Sequence, residues 1–137
     1  MALRWDKKWL AVPAALETVG ALLPGGWPAL RARNRELALA ARRVLCGALG
    51  IPPPSPDDMI GSLATLPLPD SAPDAVCGSF GLDALGERLL THHRVEVPVF
   101  AWPAPPRRCV RISAQLYNTA TDYERLAEGL RAELPRS

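Results

Sequence analysis

A chain of 137 residues with 48% hydrophobic and 22% charged side chains has the make-up of one ordinary globular domain, or of a part of a larger protein. Its net charge of +2 is too weak a field to recruit nucleic acid or an anionic membrane, and its composition excludes a coiled coil, collagen, a disulfide scaffold and a membrane span. Only Lys7 and Lys8 among the sixteen basic residues are lysines. Chemistry that needs a lysine nucleophile therefore has those two candidates, both in a polar stretch from Arg4 to Lys8 where a desolvated amine is not expected. Cys46, Cys77 and Cys109 fit no metal spacing and read as structural thiols. The first ten residues are charged and lack an apolar run, so no signal peptide is expected and the cytoplasm is the default compartment.

Taken in chain order, Trp9, Leu10, Val12, Leu16, Val19, Leu22 and Leu23 recur at helical spacing, which predicts a helix over 7–23 that Pro13 kinks or delays. Pro28, an apolar stripe from Leu30 to Leu49 and Gly50 predict a second helix over 27–49, with Arg31, Arg33, Arg35, Glu36, Arg42 and Arg43 mostly off the stripe. Asn34 falls on that stripe, and a buried amide there needs a hydrogen-bond partner. A helix–helix or helix–loop contact is the plainer source, and a neighbouring domain or cofactor the sharper one. Asp57-Asp58 follows a proline cluster and reads as a turn before a strand over 59–66 that Pro67 ends. Residues 67–79 read as a loop, and Leu82, Leu85, Leu89 and Leu90 predict a short helix to His92. Arg94–Phe100 and Arg108–Leu116 alternate with period two and predict strands joined by the connector Trp102–Pro106. In the second strand Val110, Ile112, Ala114 and Leu116 face the core, while Cys109, Arg111, Ser113 and Gln115 face away. The Thr121-Asp122-Tyr123-Glu124 pattern predicts a capped helix over 121–134. The order α, α, β, α, β, β, α predicts an α+β fold: a small antiparallel sheet of about three strands with helices packed on one face.

Few residue sets carry chemistry. His92 and His93 are adjacent and point about 100 degrees apart on a helix, so they do not chelate one metal together; a helix C-terminus that favours positive charge explains them. No nucleophile triad, glycine-rich phosphate loop or zinc spacing is present. Arg111 stands out as a mid-strand arginine on the non-core face, where a planar fork can meet a carboxylate or a surface ion pair.

Arg111-Ile112-Ser113-Ala114-Gln115-Leu116-Tyr117-Asn118-Thr119, following Val95-Glu96-Val97-Pro98-Val99, resembles the C-terminal segment of class V aminotransferases. That superfamily of fold-type-I pyridoxal phosphate enzymes includes cysteine desulfurases and isopenicillin N epimerases. The stretches Trp9–Leu16 and Trp27–Asn34 look like the helices that join the large and small domains in the epimerase-like branch. Asp57–Ser62 is similar to the start of its first small-domain strand. The resemblance implies a division into 1–8 as an interdomain remnant, 9–50 as two linking helices and 51–137 as an α+β small domain. It implies that Arg111 binds the substrate's α-carboxylate and that Asn118 helps shape the same cleft.

The same resemblance places the Schiff-base lysine, the aspartate that pairs with the pyridine nitrogen and the ring-stacking residue upstream of Trp9. Leu3-Arg4-Trp5-Asp6 also replaces a Gly-Thr segment whose threonine reaches the cofactor phosphate. The expectation is a truncated domain with no catalytic residue, cofactor or metal of its own. Pyridoxal phosphate would belong to the full-length isomerase- or aminotransferase-like enzyme, and the partner would be a large domain or a second copy in a dimer. A competing expectation is an interaction or carboxylate-binding module that docks on a separate partner or self-associates, through a patch containing Trp5, Trp9, Phe100 and Trp102. A third is a small-molecule sensor in which Arg111 holds a carboxylate.

Overall fold

The computed structural model describes residues 6–71 and 83–135. Helix α1 spans Asp6–Gly20 and α2 spans Gly26–Leu49; a 3-10 turn, Asp57–Met59, precedes β1, Leu63–Leu68. Helix α3 spans Ala84–His93, β2 Val99–Ala101, β3 Arg108–Ser113 and α4 Ala120–Glu133. The element order and the α+β class are as the sequence predicts. The chain separates into two compact units, Met1–Arg33 and Asn34–Ser137, with the boundary inside α2.

In the first unit α1 continues through Pro13 and ends at Gly20, three residues short of the predicted Leu23. Glycine is needed at the turn that follows, where Gly25 and Gly26 both take positive φ. The Trp27 indole N–H donates to the Leu16 carbonyl at 3.2 Å, and the Arg31 guanidinium lies 5.7 Å from the Trp27 ring centroid. Trp9, Leu10, Val12 and Leu16 are exposed along α1.

The second unit holds the core. Its sheet has the order β1-β3-β2 and is antiparallel throughout, with Thr65 opposite Arg111 and Val99 opposite Val110. Ala64, Leu66, Val110 and Ile112 turn to one face, where they meet Leu39 and Leu45 of α2, Leu85 and Leu89 of α3, and Tyr123, Leu126 and Leu130 of α4. The sheet is covered by helices on that face, as predicted. Helix α2 ends in a Schellman arrangement: Gly50 is left-handed and the Ile51 N–H donates to the Cys46 carbonyl at 3.1 Å.

Several boundaries differ from the sequence reading. Strand β1 begins at Leu63, not at Met59, and runs through Pro67 to Leu68. It is an edge strand, and only there is a missing backbone donor tolerated. The predicted strand over 94–100 shrinks to Val99–Ala101 because Arg94 is spent on ending α3. Its φ is 58°, its N–H donates to the Leu90 carbonyl at 3.1 Å, and the Val95 N–H donates to that of Leu89 at 3.1 Å. Residues 95–98 keep the predicted alternation, with Val95 and Val97 half-buried and Glu96 and Pro98 exposed. Cys109 keeps the predicted face, the one Arg111 is on, but it is buried there rather than open to solvent, opposite Pro67 and Phe100 across the ladder. Helix α4 starts earlier than the Thr121–Glu124 register. The Asp122 carboxylate accepts from the Thr119 N–H at 2.8 Å and from its hydroxyl at 3.2 Å. Both registers match the capping pattern, and the earlier one follows directly on the turn that ends β3.

Arg42, placed off the apolar stripe from the sequence, also needs correction. Arg42 is 1% exposed, and Arg108 is buried too. Cys46 and Cys109 are free and buried, and burial raises both thiols above the ordinary range; Cys77 lies outside the described residues.

Candidate functional site

Strand β3 carries the site. Because Val110 and Ile112 must face the core, the residue between them faces outward, and Arg111 is exposed there. Its backbone N–H donates to the Pro98 carbonyl at 3.1 Å, which brings the extended 95–98 segment alongside. After Ser113 the chain turns. The Gln115 N–H donates to Asn118 Oδ1 at 3.0 Å, and the Asn118 N–H returns to the Gln115 carbonyl at 2.9 Å. The Thr119–Asp122 cap then launches α4, and the Tyr123 hydroxyl donates to the Ser113 carbonyl at 2.7 Å. Burial, then the nearby Asp122 and Tyr117, raise the Tyr123 phenol above its ordinary value, so it remains a neutral donor.

These segments enclose an open cleft of about 450 Å³ whose walls include Glu96, Pro98, Arg111, Tyr117, Asn118 and Asp122. Arg111 and Asn118, the two residues singled out from sequence, thus share one concavity. Asn118 is half-buried, with its amide oxygen engaged in the turn, so it fixes the wall. The Arg111 guanidinium makes no hydrogen bond or ion pair with any described residue. A charge-assisted, two-pronged donor facing a cleft is suited to a carboxylate. The cleft's walls include no lysine.

Asn34, 5% exposed, donates through Nδ2 to Gln115 Oε1 at 3.1 Å. Gln115 Oε1 also accepts from the Leu116 N–H at 2.9 Å. This is the helix–loop contact, and it braces the turn that carries Asn118. The Asn34 Oδ1 atom has no partner among the described residues.

His92 and His93 sit at the end of α3 and meet a group that sequence spacing did not reveal. His92 Nδ1 lies 2.8 Å and His93 Nε2 3.2 Å from Glu133 Oε1, while Arg88 Nε donates to Glu133 Oε2 at 2.8 Å. No group of three or more His, Cys, Asp or Glu side chains suited to a metal ion exists among the described residues. The His92 hydrogen bond, aided by Arg88 and His93 against some desolvation, holds the Glu133 carboxyl at about 2. A carboxyl lowered in the folded state contributes stability above the ordinary carboxylate range and loses it as pH falls toward the folded value. Water screening discounts the full effect, so the acid-limb stability loss from pH 5 to pH 2 should shrink by about 1 kcal/mol in Glu133→Gln. Urea titrations at both pH values measure it.

Trp9 and Trp102, two members of the predicted apolar patch, are 75% and 67% exposed, Phe100 is half-buried, and Trp5 lies outside the described residues. No helix among the described residues is long and apolar enough to cross a membrane.

No family model matches the chain. Among curated proteins it is 36% identical over 127 residues to an isopenicillin N epimerase of Amycolatopsis lactamdurans, a match that covers 90% of this chain and 28% of that protein. It is 34% identical over 127 residues to an isopenicillin N epimerase of Streptomyces clavuligerus, again over 90% of this chain and 28% of the relative. It is 30% identical over 136 residues to an L-cysteine desulfhydrase of Arabidopsis thaliana, covering 88% of this chain and 29% of the relative. The chain thus spans under a third of the length of these relatives. Nearly all of it is related to a segment of isopenicillin N epimerases and L-cysteine desulfhydrases, in agreement with the resemblance read from the sequence.

Proposed function

We propose that this chain supplies the substrate-carboxylate wall of a class V aminotransferase-type enzyme acting on an amino acid, with Arg111 receiving the carboxylate and Asn118 holding the cleft's shape. The outward Arg111 guanidinium in the cleft, unpaired among the described residues, is the observation that carries this reading. The relatives' names fit it, since isopenicillin N and L-cysteine both carry an α-carboxylate. Pyridoxal phosphate, which the class V resemblance implies, supplies an electron sink where it is bound. The cleft residues do not fit the cofactor, for there is no lysine among them to form an imine. The chain's own contribution is to bind and orient, and by itself it is not catalytic. Its cofactor-holding partner is a large domain of the same enzyme type.

Titration of the full chain with sodium butyrate, followed by amide NMR, tests this. The expected result is shifts clustered at residues 96–98, 111–113 and 117–122, with affinity weakened about tenfold in Arg111→Gln, the cost of one charge-assisted bidentate contact. Added pyridoxal phosphate should give no turnover of an amino acid. Butyrate shifts that ignore Arg111→Gln, or turnover on Lys7 or Lys8, overturn the reading.

A second reading, a module that docks on a separate protein or on its own copy, is favoured by the exposed Trp9, Leu10, Val12 and Leu16 of α1. Sedimentation of the full chain separates the two: a concentration-dependent dimer that Trp9→Ser disperses supports the module.

A further inference from the structure

The Arg111 cleft holds a second charge that is unpaired among the described residues. Glu96 lines the same concavity, is exposed, and its carboxylate makes no hydrogen bond or ion pair with any described residue. Continuing the β2–β3 register past Val99–Val110 sets Pro98 opposite Arg111, and the Arg111 N–H to Pro98 carbonyl bond confirms that pairing. Glu96 is then Arg111's diagonal neighbour on the same face, about 7–8 Å away between backbone positions. Two opposite charges at that spacing face one cleft, yet they do not pair with each other. The other carboxylate in the cleft, Asp122, is partly engaged: its Oδ2 accepts from the Thr119 N–H and hydroxyl. Glu96 is therefore the carboxylate in the cleft with neither oxygen engaged among the described residues, and the diagonal neighbour of Arg111.

We infer that Glu96 is a specificity-determining residue of this cleft: it receives an ammonium group of the ligand whose carboxylate lies on Arg111, so the site selects zwitterions over simple carboxylates. This rests on the carboxylate reading above. Selection arises from both signs of one charge. Glu96 attracts a cationic end and, by its proximity to the carboxylate subsite, repels a ligand that brings only negative charge. Both groups are exposed to water, so each contribution is small and sensitive to salt.

A four-carbon series on the full chain tests it: sodium butyrate, 2-aminobutyrate and 4-aminobutyrate, titrated by amide NMR at low salt. At least one aminobutyrate should bind about two- to fivefold more tightly than butyrate, the range expected for one exposed charge pair. In Glu96→Gln that preference should vanish, with aminobutyrate binding weakened while butyrate binding holds or improves; Glu96→Asp should restore part of it. Raising the salt to about 1 M should erase the preference in the parent chain. A purely structural role for Glu96 would move all three ligands in the same direction. Equal binding of the three by the parent chain, or a preference that survives Glu96→Gln, overturns the role of Glu96 and leaves the carboxylate site standing. No binding of any of the three overturns both.

Discussion

Arg42→Ala is expected to lower the unfolding free energy by about 3–4 kcal/mol, whereas Arg42→Met should cost about 1 kcal/mol. Arg42 is among the largest fully buried side chains, at 1% exposure. Its Nη1 donates to the Ser55 carbonyl at 2.8 Å and its Nη2 pairs with Asp57, while Nε is buried with no acceptor among the described residues. Asp57 is 63% exposed, so losing the guanidinium leaves that carboxylate in water at little cost. Truncation to alanine would instead open a cavity between α2 and the 55–57 turn and release the turn. Methionine refills most of the volume and removes the orphaned donor, giving up only the ties to Ser55 and Asp57. Urea midpoints at an unchanged slope measure both. Equal losses for the two variants would mean that the hydrogen bonds, not the volume, dominate.

Asp83→Ala should destabilise by about 3 kcal/mol, because one carboxylate does two jobs. Its Oδ1 caps α3 by accepting from the Leu85 N–H at 2.8 Å and also accepts from Arg108 Nη1 at 2.9 Å. The Arg108 side chain is 9% exposed, and its other tie is from Nε to the Pro69 carbonyl at 2.9 Å. Without Asp83 a buried guanidinium loses its counter-charge. The double variant Asp83→Ala/Arg108→Met should regain part of the loss, since it removes the stranded charge and leaves only the missing cap. Strict additivity in that cycle would show that the two side chains are not coupled.

The face of the sheet that bears Arg111 was legible because it is local. Val110, Ile112 and Ala114 define an inward side by period two, and the residue between two inward positions has nowhere else to go. The wall containing Asn118 was legible only through family resemblance, since a turn closed by an amide on its own i−3 backbone has no period. The misplaced boundaries share one cause, namely residues that serve an element other than the one their pattern suggests. Arg94 alternates like a strand residue but terminates α3, and Thr119 competes with Thr121 for one cap. Arg42 was placed off the apolar stripe and Arg108 was given no face, and both are buried. Their partners Ser55, Asp57, Pro69 and Asp83 are distant in sequence, and only tertiary packing brings them near. Glu133, on which both histidines converge, is about forty residues away for the same reason.

The modest sheet has a further consequence, for how copies of this chain behave when crowded together. A three-stranded sheet has two open margins, each able to recruit a foreign strand. One margin is β1, where Pro67 withholds a hydrogen-bond donor; the other is β2, only three residues long and running into the prolines at 103, 105 and 106. Both borders are thus poor templates for polymerisation, and the polypeptide is guarded against fibre growth at the two places where β-structure would otherwise propagate.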